Sequence, residues 1–140
     1  MQDSGGGNTP GVPGAQPGSG LTPNVAGALS YVLGALTGII FILIEKRDSF
    51  VRFHAMQSIF LTVVWIALSI LLNILGAILG IVPVIGPIFA LIIGLLVSLG
   101  IGLGGFILWI MLIVKAYQGQ KWKLPYIGDM AEKYAATVNI

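Results

Sequence analysis

"FHAMQSIFLTVVWIALSILLNILGAILGIVPVIGPIFALIIGLLVSLGIGLGGFILWIMLIV", residues 53–114, contains no Asp, Glu, Lys or Arg. One helix needs roughly 20 apolar residues to cross a bilayer core. A charge-free run about three times that long therefore reads as several membrane spans. The whole chain agrees with this passage. Its 140 residues are 56% hydrophobic and only 9% charged, whereas soluble domains carry about 25% charged residues. A water-soluble fold of this size has too little interior to hide so much apolar surface.

Charge excludes other classes. The surplus is two positive charges, too few and too close to apolar segments for a nucleic-acid surface. There is no cysteine and a single histidine, which removes disulfides and thiolate metal sites and leaves no cofactor or metal to expect. The first 20 residues, "MQDSGGGNTPGVPGAQPGSG", have nothing able to build a core and are expected to form a disordered Gly/Pro-rich tail. A short tail is also expected at 137–140.

The expected fold is an all-α polytopic membrane bundle of three transmembrane helices, at about 24–44, 55–79 and 88–114, followed by an interfacial segment at 115–136. Four spans, or three plus a re-entrant or interfacial segment, are the alternatives. In the first span, Pro23 and Asn24 suit a helix start. Ser30, Gly34 and Gly38 then recur every fourth residue, a spacing that lets a second backbone approach closely in lipid.

The second helix follows the charged junction "EKRDSF", where Ser49 can cap it and Asp48 stands four residues before Arg52. At 100° per residue, His54, Ser58, Thr62, Trp65, Ser69, Asn73, Gly76 and Gly80 share an arc of about 100°. Hydroxyl and amide groups on one side of a span should turn toward other helices, since hydrocarbon offers them no partner. Arg52, His54 and Gln57 open this stripe. No carboxylate or second histidine lies within the spans to make them a proton-handling or ligand site, so the simpler reading is structural: Arg52 reaching for phosphates, His54 bonding at the interface, Gln57 satisfying a neighbouring helix end.

"GIVPVIGPIFA" breaks the pattern with Pro83 and Pro87 and reads as a tight apolar turn or short re-entrant piece. In the third span Gly94, Ser98 and Gly102 repeat the four-residue spacing of small side chains. Tyr117, Trp122 and Tyr126 among Lys115, Lys121 and Lys123 are the aromatic and basic mixture of a headgroup layer. Asp129 and Glu132 have capping-box spacing for a short tail helix reaching about Ala136.

The basic residues fall in two places, three within 45–52 and four after Val114, with none in the turn at 80–87. Three spans put both groups on one side, which the positive-inside bias makes cytoplasmic. The expectation is a multi-pass cell-membrane protein with its C-terminus inside and its N-terminus outside.

Three stretches, "LTPNVAGALSYVLGALTG" (21–38), "IEKRDSFVRFHAMQSI" (44–59) and "VKAYQGQKWKLPYIGDMAEKYA" (114–135), resemble the Tic-twenty-like family of small prokaryotic membrane proteins. That family is named for a component of the chloroplast inner-envelope protein import machinery. The resemblance implies an all-helical integral membrane protein, an import or membrane-complex role in distant plastid relatives, four spans, and no catalytic residues to transfer. From residues and resemblance together, the expected function is a non-catalytic scaffold or accessory subunit of a membrane complex. The alternative is a small oligomeric channel or transporter with its pathway along the second helix. The expected partners are the lipid bilayer and other membrane proteins or further copies of the chain, and an intramembrane enzyme is the least favoured class because one His and no buried acid cannot assemble a nucleophile, base and orienter.

Overall fold

The structure, a computed structural model, describes residues 18–138. Positions 1–17 of the expected tail lie outside the described residues. Five helices follow in order: α1 (Pro23–Leu29), α2 (Ala35–Ile44), α3 (Ser49–Leu79), α4 (Ile85–Tyr117) and α5 (Ile127–Thr137). Among the described residues there is no strand.

Two helices are long and apolar enough to cross a membrane, α3 with 31 residues and α4 with 33. At 1.5 Å per residue they reach about 46 and 50 Å, more than the roughly 30 Å of a hydrocarbon core. Burial along α3 accounts for the excess. Residues 50–58 are all buried, whereas Val63, Val64, Ile66, Ile70, Leu71, Ile74, Leu75 and Ile78 are exposed. The length of α3 from Val63 onward matches a bilayer, and its apolar surface needs lipid.

The expected single span at 24–44 is replaced by two short helices, and this is a correction. α1 has 7 residues and α2 has 10, about 10 and 15 Å, too short to cross. The break comes at Gly34, whose φ of +63° a side-chain-bearing residue disfavours. Thr37 Oγ1 stabilises it by donating to the carbonyls of Ser30 at 2.9 Å and Gly34 at 3.2 Å. After the break the chain turns back. Gly18 N–H reaches the Glu45 carboxylate at 2.7 Å, so the approach to α1 and the exit from α2 lie together. α1 and α2 thus form a helical hairpin against α3: Gly27 lies against Phe50 and His54, Gly34 at the tip against Thr62, and Gly38 on the return against Ala55 and Ile59. The N-terminal side of this hairpin is therefore at the Glu45 end and not at the opposite end that three spans require.

By Cα packing the described residues form two compact units, 18–63 with 110–138 and 64–109. The first holds the α1–α2 hairpin, the start of α3, the end of α4 and α5. Its core gathers Ala26, Phe41, Ile42, Phe50, Val51, Phe53, Ala55, Met56, Ala131 and Ala135. The second is an apolar helical hairpin. Its turn is the tight form of the expected break at 80–87: Ile81 N–H bonds Ile78 O, Gly86 N–H bonds Val82 O, and Val84 takes a φ of 66°. Trp65 lies against Gly105, the close approach that an absent side chain permits.

α4 ends in a Schellman closure, with Gly119 N–H on Ala116 O, Gln120 N–H on Lys115 O, and Gly119 at φ +81°. Residues 120–124 then run without helical hydrogen bonds to α5. The capping box expected from Asp129 and Glu132 is not formed. Tyr126 holds the N-cap position without a side-chain bond, and both acids pair with lysines instead.

Candidate functional site

The first turns of α3 carry His54, Gln57 and Ser58 at i, i+3 and i+4, one helical face, with relative exposures of 0%, 0% and 1%. Burying so many polar groups demands hydrogen-bond partners. The hairpin tip and the irregular segment after α4 supply them. Tyr31 Oη lies 2.7 Å from His54 Nδ1, and His54 Nε2 lies 3.1 Å from the Gln120 carbonyl. A carbonyl can only accept, so Nε2 carries the proton, Nδ1 accepts, and the Tyr31 hydroxyl donates to it. Gln57 Nε2 donates to Tyr31 Oη at 2.8 Å and to Trp122 O at 3.1 Å, while Gln57 Oε1 accepts Leu124 N–H at 3.1 Å. Ser58 Oγ donates to Gly34 O at 2.9 Å. Phe50 and Phe53 enclose the imidazole edge-on, with ring centroids 4.5 and 5.0 Å away. The arrangement holds one neutral imidazole and ties two separate segments, the hairpin tip and the stretch after α4, to α3. Among the described residues no carboxylate bonds the histidine, and the one hydroxyl on its ring, that of Tyr31, also accepts from Gln57.

Arg52 is equally committed. It is 7% exposed and donates from Nε to Ala135 O at 3.0 Å, from Nη1 to Ile42 O at 3.2 Å and Glu45 O at 2.6 Å, and from Nη2 to Val138 O. These are unpaired carbonyls at the C-termini of α2 and α5, where a cation is also favoured by the helix dipoles. The expected outward reach of Arg52 to phosphates, and its pairing with Asp48, are replaced by this inward clamp. Asp48 caps α3 instead of Ser49: its Oδ1 accepts Phe50 N–H at 2.9 Å and Val51 N–H at 3.2 Å. Asp48 Oδ2 is buried without a partner. Burial is the main force raising the Asp48 carboxyl above its ordinary range; the two N–H bonds oppose it and the nearby Glu45 adds to it.

The remaining stripe residues behave differently. Thr62 Oγ1 bonds Ser58 O at 2.9 Å, Ser69 Oγ bonds Trp65 O at 2.9 Å, and Asn73 Nδ2 bonds Ser69 O at 2.7 Å, all within α3. Ser69 and Asn73 are exposed. Asn73 and Ser98 line a cleft of about 840 Å³ with Gly76 and Gly94 in the apolar hairpin. Of the small-residue series, Ser30 bonds Ala26 O, and Gly34 and Gly38 touch α3, while Gly94 and Gly102 face open space. Among the described residues no group of three His, Cys, Asp or Glu side chains could hold a metal ion.

Sequence reasoning passed over Tyr31 and Glu45. A tyrosine hydroxyl at the depth of an apolar helix needs a partner, and that was the available signal. Glu45, which in the sequence is only the first residue of the charged junction, is 2% exposed and accepts three backbone N–H groups, from Gly18, Arg47 and Asp48.

Long apolar helices with exposed side chains, joined to a segment whose polar groups are spent on internal bonds, define an all-helical integral membrane protein. The chain belongs to the magnetosome magnetite crystal formation protein family, MamF/MmsF, whose profile matches residues 21–131. It is 43% identical to a UPF0132 membrane protein of Methanocaldococcus jannaschii over 83% of this chain and 91% of the relative. It is 44% identical to a UPF0132 membrane protein of Archaeoglobus fulgidus over 81% and 95%. A second M. jannaschii UPF0132 membrane protein is 39% identical over 82% and 71%. No solved structure matches. The membrane-protein expectation stands with these relatives, whereas the Tic-twenty relationship has no support among them.

Proposed function

We propose that the chain is a non-catalytic scaffold or accessory subunit of a membrane-bound assembly, inserted in the cell membrane with both basic segments on the cytoplasmic side. The observation that carries this reading is the fate of the polar residues. His54, Gln57, Ser58 and Arg52 are consumed in holding segments of the same chain together, and a site for turnover needs groups left over for a substrate. The apolar hairpin has the opposite property. Gly76, Gly94, Gly100, Gly102 and Gly104 have no neighbour within 4 Å of where a side chain would begin, which suits close approach of further helices in lipid. The partners are other membrane proteins or further copies of the chain.

The family description concerns magnetosome magnetite crystal formation; for this chain it supports work within a membrane assembly. The translocation role implied by the Tic-twenty resemblance is not part of the proposal. Positive-inside bias supports a cytoplasmic C-terminus, and the return of Gly18 to Glu45 supports an N-terminal side on that same face.

Affinity purification from native membranes in mild detergent tests the reading. Recovery of a stable, stoichiometric membrane assembly is expected. A homo-oligomer that conducts solutes or protons in liposomes, with conduction lost in Asn73→Leu, would replace it with the channel alternative.

A further inference from the structure

A cavity of about 340 Å³ opens where α2, α3 and α5 meet the segment after α4, lined by Lys46, Arg47, Ser49, Arg52, Lys121 and Glu132 among others. Its lining carries four cations and one carboxylate, and with Glu45 and Asp48 buried behind it the cations still outnumber the acids. The carboxylate is already shared: Glu132 lies 3.3 Å from Lys121 Nζ and also pairs with Lys123. Arg52 strengthens the field from beneath. Its guanidinium bonds carbonyl oxygens only, and none of the ion pairs among the described residues includes it, so its full charge stays at the cavity. Carbonyl dipoles hold a buried cation in place without cancelling it. Lys121 is steadied over the Phe53 ring at 5.2 Å, and the exposed Ser49 adds a hydroxyl donor.

We propose that this cavity binds the phosphate headgroup of an anionic phospholipid. Lys46 and Arg47 directly follow α2, whose Ile40, Leu43 and Ile44 are 43 to 45% exposed. Acyl chains can lie along that apolar face while the phosphate enters the cavity, an arrangement that a free inorganic anion does not use. The inference rests on placing this end of the chain at the membrane surface, and it extends the scaffold reading by making the lipid itself a recognised partner.

The test uses the full chain purified in a nonionic detergent, with thermal unfolding followed by tryptophan fluorescence. Titrated phosphatidylglycerol is expected to raise the midpoint, and phosphatidylcholine and inorganic phosphate are not. Each of Lys46→Gln and Arg47→Gln is expected to weaken the phosphatidylglycerol response about fivefold, and the pair about thirtyfold, the loss expected per cation near an anionic surface. Lys115→Gln, on α4 and outside the cavity, should leave it unchanged. Lys46 and Arg47 are exposed, so both variants keep the core. Native mass spectrometry of the unaltered protein gives a second readout, with phosphatidylglycerol retained in preference to phosphatidylcholine. An equal response to phosphatidylcholine, saturation by inorganic phosphate, or equal weakening by Lys115→Gln overturns the proposal. A topology result that contradicted the scaffold reading would leave these binding data intact, so the two fail separately.

Discussion

Replacing Gln57 by Leu removes a side chain that joins α3 both to the hairpin tip and to the segment after α4. Gln57 is 0% exposed and bonds Tyr31 Oη, Trp122 O and Leu124 N–H. Leucine is similar in volume, so cavity formation is a minor part of the effect. The loss comes from the groups left behind. Leu124 N–H loses the Gln57 bond in a buried setting and Trp122 O in a part-buried one, at about 1–3 kcal/mol per group, and the extra apolar contact of leucine offsets part of that. A net destabilisation of about 3 kcal/mol follows, or roughly a 10 °C fall in midpoint for a chain of this size. The comparison that isolates the cause is Asn73→Leu, which removes an amide bonded only to Ser69 O of its own helix and should change stability by less than about 0.5 kcal/mol. Thermal unfolding in nanodiscs, read from tryptophan emission, measures both. Hydrogen exchange should rise at residues 120–124 in the Gln57 variant alone. Equal midpoints for Gln57→Leu and the unaltered protein would refute the claim that this side chain anchors the segment after α4.

Arg52→Lys keeps the charge but cannot span four carbonyls with one ammonium; it should expose α5 to hydrogen exchange and trypsin while α3 keeps its helical signal. Asp48→Asn retains an Oδ1 acceptor for Phe50 and Val51 N–H and replaces the unpartnered Oδ2 by an amide nitrogen in the same buried place, removing the charge that burial disfavours; denaturant titration should find it about as stable as the unaltered protein at pH 7. The same group gives a pH effect. Its raised folded value means that its stabilisation is fully present below the ordinary carboxylate range and is lost as pH rises through the raised value, and Asp48→Asn should flatten that slope. Glu132 runs the other way. Hydrogen bonds from Lys123 and then Lys121 hold its carboxyl below the usual range, so its contribution is present above that range and lost as pH falls through the lowered value. Hydrogen exchange in α5 should therefore increase in acid.

The apolar hairpin was legible in the sequence because a charge-free run and two prolines state its length and its turn directly. The pair α1 and α2 was not. Residues 24–44 are continuously apolar, and hydropathy cannot register that Gly34 adopts a positive φ or that Gly18 returns to Glu45. The polar arc from His54 to Asn73 was visible as a 100° stripe, but the stripe does not say which members are bonded across segments. That depends on residues 120–124, some 65 positions away, offering backbone groups to His54 and Gln57. Arg52 beside Asp48 invited an ion pair by helical spacing, and the unpaired carbonyls of two helix ends outcompeted it.

In the proposed topology residues 18–45 enter and leave on one face, and α3 and α4, the two helices long and apolar enough, cross the bilayer. The chain has no cysteine, so single substitutions Ser19→Cys, Arg47→Cys, Gln118→Cys and Val84→Cys in sealed, oriented vesicles can be labelled with an impermeant maleimide. Positions 19, 47 and 118 should react from one face and position 84 from the other. Labelling of position 19 together with position 84, opposite to 47 and 118, would contradict the re-entrant hairpin and restore three crossings.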